Sequence, residues 1–485
     1  MKIRYLCSLL VLVLLIGIAQ PLPTRASTFH YTYTYNIWGV PIPSPDAYRV
    51  TAYLLGESLG IGHFHRPQDL FVIGNKIYVA DSGNNRVVVI VANEDGTHEV
   101  AQVIEHAMLD GAPTTFNFPS GIFVSDWGDI WLSDTDNHRI LHVDSYWNVI
   151  TEIGRPERSQ LLPTDDFLPS KLVVDFTGRL FVQVIHVNRG LMEFDRYGEF
   201  AVYMGAAPVH VSVIDQFWRR IATQEQRERR QIFIPTEYNS VSIDSEGFLF
   251  VTNTNDNVDS VRRLNAMGDD VLIRNGLFYI EGDVVYGDAA GIDGPSQLID
   301  IAPLPNETFI AFDRVRGRLF AYDFQGNLLF VFGGRGAREG FFMEPTAIDN
   351  MGYTLFALCA GNNTITRFDL TEYGLAINRG LELYRRGLYE ESVFYWQEVL
   401  RMNGNFGMAY VGMARAMLRQ GYYRDAMRYF RLENDRIGYG RAFGFFRRQW
   451  MEDNFWIFAL AVGVLVIVPP VVKKVLHVRR EIYES

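Results

Sequence analysis

Cysteine is nearly absent from this chain: of its 485 residues only Cys7 and Cys359 carry a thiol. Cys7 falls in an apolar N-terminal run, so once that run is removed no intrachain disulfide can form, and stability must come from burial and strand pairing. Cys359 lies in an apolar stretch and reads as a small core residue rather than a nucleophile. The short catalytic motifs are missing as well: there is no G-x-S-x-G elbow, phosphate-binding loop or H-E-x-x-H. The ten histidines form no metal-ligand spacing. His63 and His65 stand in a glycine-bearing turn, and His138 and His142 straddle a strand turn. Asp134, Asp136 and Asn137 lack the Gly and distal Glu of a calcium loop and fit a polar turn better. Positive charge is in deficit too, with a formal net charge of −11.

What is abundant is apolar surface: 48% of residues are hydrophobic and 14% aromatic, enough for sizeable cores in two or three domains. One phrase recurs about every fifty residues: an apolar strand, a tight polar turn, then a second apolar strand. Tyr78 to Ile90 reads YVADSGNNRVVVI and Trp131 to Val143 reads WLSDTDNHRILHV. The register returns at Phe181, Phe250, Phe309 and Leu355, giving six copies. Each follows a leader anchored at Pro67, Pro119, Pro169, Tyr238, Pro295 or Pro345, with spacings of 52, 50, 69, 57 and 50 residues. A repeat of that length holding several short strands predicts propeller blades. Copies one to five are expected to continue into one more strand ending in Gly. Copy six lacks it, and RVTAYLLG from Arg49 to Gly56 is available to close the ring and remove the open sheet edge.

The blades resemble NHL-type repeats, with the pattern P-x-x-[apolar]-x-V-D-x-x-G-x-[apolar]-[YFW]-V-x-D-x-x-N-x-R-[apolar] across residues 49–371. Copies one and two fit it well, three and six in part, four and five by strand register alone. The resemblance implies a six-bladed propeller and no particular activity.

From Tyr373 the period changes from two to helical. GLELYRRGLYEESVFYWQEVL is matched 34 residues later by ARAMLRQGYYRDAMRYFRLEN, pairing Gly387 with Gly421, Ser392 with Ala426 and Trp396 with Phe430. This resembles a tetratricopeptide repeat, although Ser392 stands where Ala is usual. Phe455 to Val472 then runs eighteen residues without a charge. At about 1.5 Å per residue that is roughly 27 Å, the thickness of a hydrocarbon core. Lys473, Lys474, Arg479 and Arg480 follow at once and predict a cytoplasmic C-terminus.

At the other end, Lys2 and Arg4 precede an apolar run from Leu9 to Ala19 and a small residue, Ala26. This describes a secretory signal or, uncleaved, an anchor; the propeller is exported in either case, and the scarcity of cysteine points to a prokaryotic envelope. The expected organisation is a mainly β chain: signal 1–26, linker 27–48, six-bladed propeller 49–371, helical repeats 372–440, juxtamembrane helix 441–454, transmembrane helix 455–472 and cytoplasmic tail 473–485.

Residues 372–485 hold 17 Lys and Arg against 12 Asp and Glu, a net of +5, and Lys2, Arg4 and Arg25 add +3, which leaves −19 for residues 27–371. So acidic a propeller excludes nucleic acid as a partner. Beside the anchors, on the strands expected to line the central channel, stand Gln68, Ser120, Ser170, Asn239, Ser296 and Thr346. Such a ring can exchange hydrogen bonds with a sugar or peptide but cannot ligate zinc. Asp69 is expected to point to the other face by alternation. An extra stretch from Ala206 to Gln231 places Phe217, Trp218 and Ile221 on one helical face with Arg227 and Arg230 beyond it, a candidate partner or membrane contact. The expectation is a cofactor-free, non-catalytic scaffold for envelope or membrane proteins, tethered to the bilayer. A channel receptor for a glycan or peptide, and a metal-dependent hydrolase or lyase, are the alternatives.

Overall fold

Alternating apolar strands leave two faces to bury, and this chain buries them by standing six antiparallel sheets around one axis. The computed structural model describes residues 31–157, 166–205, 237–253, 259–283 and 294–484. Blade one comprises Asp69–Ile73, Lys76–Asp81, Arg86–Ala92 and His98–Ile104, in that order from the axis outward. Blade two (Pro119–Val124 to Val149–Ile153) and blade three (Pro169–Val174 to Phe200–Met204) repeat the meander. Blade six is Pro345–Met351, Thr354–Cys359 and Thr364–Leu370, completed by Tyr48–Leu55 from the start of the chain. Thr51 and Thr354 both donate to the Asp369 carboxylate at 2.6 Å, which fastens the closing strand.

The two remaining blades differ from expectation. In blade four the described residues form three strands, Ser240–Ile243, Leu249–Thr252 and Val261–Leu264, and no fourth strand ending in Gly. The chain instead makes a single bridge from Leu264 to Asp270. Arg274 then donates to the Val261 carbonyl at 2.7 Å, taking up a group that a fourth strand would have paired. Blade five, built from Leu298–Pro303, Phe309–Asp313, Arg318–Tyr322 and Leu328–Gly333, carries six strands, because Tyr33–Tyr35 and Pro41–Pro43, which lie in the expected linker, form a hairpin on its outer edge. The buried Tyr33 and its neighbour Tyr35 both donate to the buried Asp283 carboxylate, which also pairs with Arg318.

The repeat pattern has a local cause. Asp81 is fully buried; it accepts the His65 amide at 2.8 Å, the Asn84 side chain at 2.8 Å and Arg86 Nε at 2.7 Å. Asp134 repeats this with the Asn117 amide, Asn137 and Arg139 at 2.7, 2.8 and 2.8 Å. The D-x-x-N-x-R run is therefore a lock that ties leader, turn and following strand together. His138 sits in this turn at φ +56° with Nδ1 3.1 Å from the Phe167 carbonyl.

The second unit is helical: α1 (Glu372–Arg385), α2 (Tyr389–Met402), α3 (Gly407–Arg419), α4 (Tyr423–Leu432), α5 (Arg436–Asp453) and α6 (Phe455–Glu484). Thr371 and Asp435 cap α1 and α5, accepting the Gly374 and Gly438 amides. Gly387 and Gly421, 34 residues apart, end α1 and α3 at φ +78° and +86°, a region that favours glycine. Trp396 of α2 is buried against Gly380 and Gly412, where an added Cβ would come within 3.0 and 2.7 Å of the indole. Helix α6 starts at the expected residue but runs through Pro469 and Pro470 to Glu484, well past Val472. A proline forfeits its own backbone bond without preventing the flanking turns from continuing. From Phe455 to Arg480 the helix is long and apolar enough to cross a bilayer, and none of its apolar window is buried within the protein.

Candidate functional site

The innermost strands of the blades neighbour one another in a ring, and their inner edges have no further strand to pair with. Free edges leave backbone N–H groups that need acceptors. Side chains of neighbouring blades supply them. Asp69 of blade one accepts the Ile122 amide of blade two at 2.9 Å, Asp300 of blade five accepts the Ile348 amide of blade six at 2.9 Å, and Asp349 of blade six accepts the Val72 amide of blade one at 2.7 Å. Ser242 of blade four donates to the Ile301 carbonyl of blade five at 2.8 Å.

At the centre of this set lies Lys171 of blade three. Its buried ammonium donates to Asp69 Oδ1 at 2.7 Å and to Asp300 Oδ2 at 2.8 Å, so one side chain joins blades one, three and five. Ser240 of blade four donates to the other Asp300 oxygen. Burial alone would push the lysine pKa down, but the Asp300 and Asp69 carboxylates hold it above the ordinary value. The ammonium is therefore charged at neutral pH and is neither a base nor a nucleophile. Burial pushes Asp69 up, partly offset by Lys171. Asp349 is pushed up to about 7 by burial and by the nearby Asp300 and Asp69 charges, against the pull of the Val72 and Asn350 amides. A carboxyl held there changes its charge near neutral pH.

This corrects two expectations. The channel wall does carry carboxylates, and Asp69 faces it. The reason is register: blade one's inner strand begins at Asp69, while the inner strands of blades two, three, five and six are bulged near their starts. Strict alternation counted from the prolines therefore assigns the wrong side chains to the channel. A usable signal was present, since Lys76 and Lys171 are the only lysines between Lys2 and Lys473, and Lys171 stands alone in an apolar strand. A buried lysine calls for carboxylate partners.

The six expected ring residues do not converge on a common open site. Ser120 is buried and shares a hydrogen bond with Thr135, which donates to the Pro169 carbonyl of the next blade at 2.7 Å. Thr346 donates to the Pro67 carbonyl at 3.1 Å, Ser296 accepts the Asp283 amide at 3.1 Å, and Gln68 donates to the Arg66 carbonyl at 3.1 Å. Ser170 is half-buried, with its carbonyl 2.0 Å from where a Cβ on Gly121 would stand. Asn239 pairs through its backbone with Thr252, and its side-chain nitrogen is buried without a partner. Thr346 directly, and Ser120 through Thr135, thus tie neighbouring blades together, while Gln68, Asn239 and Ser296 make local contacts. Among the described residues, no group of three or more His, Cys, Asp and Glu side chains is placed to hold a metal ion. The candidate contact residues Phe217, Trp218, Ile221, Arg227 and Arg230, and the expected signal 1–26, lie outside the described residues.

The NHL repeat family model matches residues 116–143, the leader and first three strands of blade two. No curated protein matches the chain. Among solved structures it is similar to virginiamycin B lyase from Staphylococcus aureus, at 12% identity over 67% of this chain and 100% of that one, with a TM-score of 0.41. It is also similar to a gluconolactonase-like protein, at 12% identity over 68% and 94% of the two chains, TM-score 0.41. A Bacteroides thetaiotaomicron protein of unknown function matches at 12% identity over 64% and 70%, TM-score 0.39. At such identity no activity carries across.

Proposed function

We propose that this chain is a non-catalytic, membrane-anchored scaffold whose propeller and helical repeats work outside the cytoplasm as an accessory subunit of an envelope or transport complex. The observation that carries this reading is the state of the channel: its charged groups are bound to one another and to the backbones of adjacent blades, which favours a structural hub over a reaction centre. The hairpins α1–α2 and α3–α4, with their 34-residue offset and wedge at Trp396, support a tetratricopeptide-type module, a design used for protein contacts. Helix α6 is read as the anchor, and the secretory signal expected at residues 1–26 would leave the C-terminus in the cytoplasm, the four cations after the span being matched by Arg436, Arg441, Arg447 and Arg448 before it. The test is crosslinking in the native membrane, mild detergent extraction and mass spectrometry, with bound metal assayed in the same sample. The scaffold reading expects a defined set of membrane or envelope proteins and no stoichiometric metal. A solitary chain carrying zinc or calcium would instead support a propeller hydrolase or lyase.

A further inference from the structure

From Arg436 to Met451, helix α5 contains four arginines and no acidic residue before Glu452. Its inner face is committed to the helical unit: Ala442 is buried in a cluster with Ala414, Ala426 and Phe430, and Gly438 lies against Phe430. The opposite half of the helix is exposed, and it is not a purely polar surface. Ile437 is 79% exposed, and Phe443, Trp450 and Met451 are exposed as well, on the same half as Arg436, Arg441, Arg447 and Arg448, whereas Phe445 lies at the edge of the inner face and stacks on Tyr423 of α4. At 3.6 residues per turn, Ile437, Arg441 and Arg448 form one row, and Phe443, Arg447 and Trp450 another. Each row therefore carries both cations and large apolar groups. Arg448 pairs with Glu452 at 3.0 Å at the surface; among the described residues Arg436, Arg441 and Arg447 have no carboxylate partner.

The end of α5 is also located. Trp450 packs edge-on against Phe458 in the first turn of α6, with ring centroids 5.8 Å apart. If α6 spans the bilayer, that contact sits at the level where the acyl region gives way to headgroups, where tryptophan is favoured. An exposed face that interleaves arginine with aromatic side chains, tied at one end to that level, matches the chemistry of an interfacial helix. Apolar groups enter the acyl boundary while arginine stems lie along it and place their guanidinium groups among phosphates.

We infer that α5 is a lipid-reading helix, lying on the outer bilayer surface and selecting anionic headgroups through Arg441, Arg447 and Arg448. This inference rests on the reading of α6 as the membrane anchor. It supplies a second membrane contact that fixes the helical unit against the surface instead of leaving it on a single swivel, and it makes that contact sensitive to lipid charge and to salt.

The test uses the full-length chain with Cys7→Ser and Cys359→Ala, reconstituted without other proteins. The vesicles are phosphatidylcholine alone or phosphatidylcholine with phosphatidylglycerol. Single cysteines are introduced at the exposed positions Ile437, Phe443, Leu465 and Phe394, and their labelling by a water-soluble maleimide is timed relative to Phe394→Cys on α2. Leu465→Cys should be protected in both lipids, since only a bilayer can cover it. Ile437→Cys and Phe443→Cys should label about tenfold more slowly when anionic lipid is present, an effect removed by 0.5 M salt (roughly a fivefold excess over the 0.1 M at which the screening length is about 10 Å) or by Arg441→Gln, Arg447→Gln and Arg448→Gln together. Equal labelling of Ile437→Cys in both lipids, with Leu465→Cys protected, would overturn the inference and leave the anchor standing. Free labelling of Leu465→Cys would remove both.

Discussion

Lys171 stands where blades one, three and five meet, and its value to the fold depends on both carboxylates it holds. Lys171→Met would leave Asp69 and Asp300 buried without their shared cation, and should lower unfolding stability by about 3–5 kcal/mol in denaturant titration. Adding Asp69→Asn and Asp300→Asn to that variant should recover part of the loss, because no unpaired charge then remains. Asp349 makes a separate, pH-dependent contribution. Its pKa rises from 3.8 to about 7 on folding, so the folded state binds the proton more tightly than the unfolded chain. No penalty exists below the unfolded value; stability then falls as pH rises through this window, and the full penalty is present above it. Melting midpoints taken from pH 4 to pH 8 should therefore decline less for Asp349→Asn than for the native chain, with a residual slope left by Asp69, whose shift has the same sign. These residues escaped the reading from sequence for a definable reason. Counting alternation from Pro67 turned Asp69 away from the channel, whereas the strand itself begins at Asp69. In blades two, three, five and six the count slips as well, at bulges that are set by backbone geometry and leave no strong mark on residue type.

Among the elements, those with dense local signals were the ones readable in advance. Six polar turns at repeated spacing predict six blades, and a missing last strand beside an unused first strand predicts the closure by Tyr48–Leu55. The hairpin at Tyr33–Tyr35 and Pro41–Pro43 was not readable, because three-residue strands carry no usable period and its fastening to Asp283 joins residues 250 apart in the chain. Blade four failed for the opposite reason: the expected strand was extrapolated from its neighbours, while its own sequence pairs once and then departs. The buried thiol of Cys359 separates the two units experimentally. Gly121→Val places a side chain against the Ser170 carbonyl and should expose Cys359 to thiol reagents in the native buffer. Gly412→Leu drives a side chain into Trp396, at a cost of about 1–3 kcal/mol, and should lower the helical circular dichroism transition while Cys359 stays protected.

For the whole molecule, one exposed apolar helix is long enough to cross a bilayer, and its role as an anchor is testable. Native membranes washed with alkaline carbonate should retain the full chain, and a chain ending at Asn454 should be released; retention of the shortened chain in high salt would require another anchor. The long apolar helix and the propeller were both readable because each rests on long runs of one pattern, whereas a partner is not, since contact surfaces have no comparable period. If the molecule works by holding other proteins, the native mass of the assembly extracted from its own membrane in mild detergent will show it. A discrete species heavier than one or two copies of this chain is expected, made up by other membrane or envelope proteins in fixed proportion. A species whose mass is fully accounted for by this chain alone would contradict it.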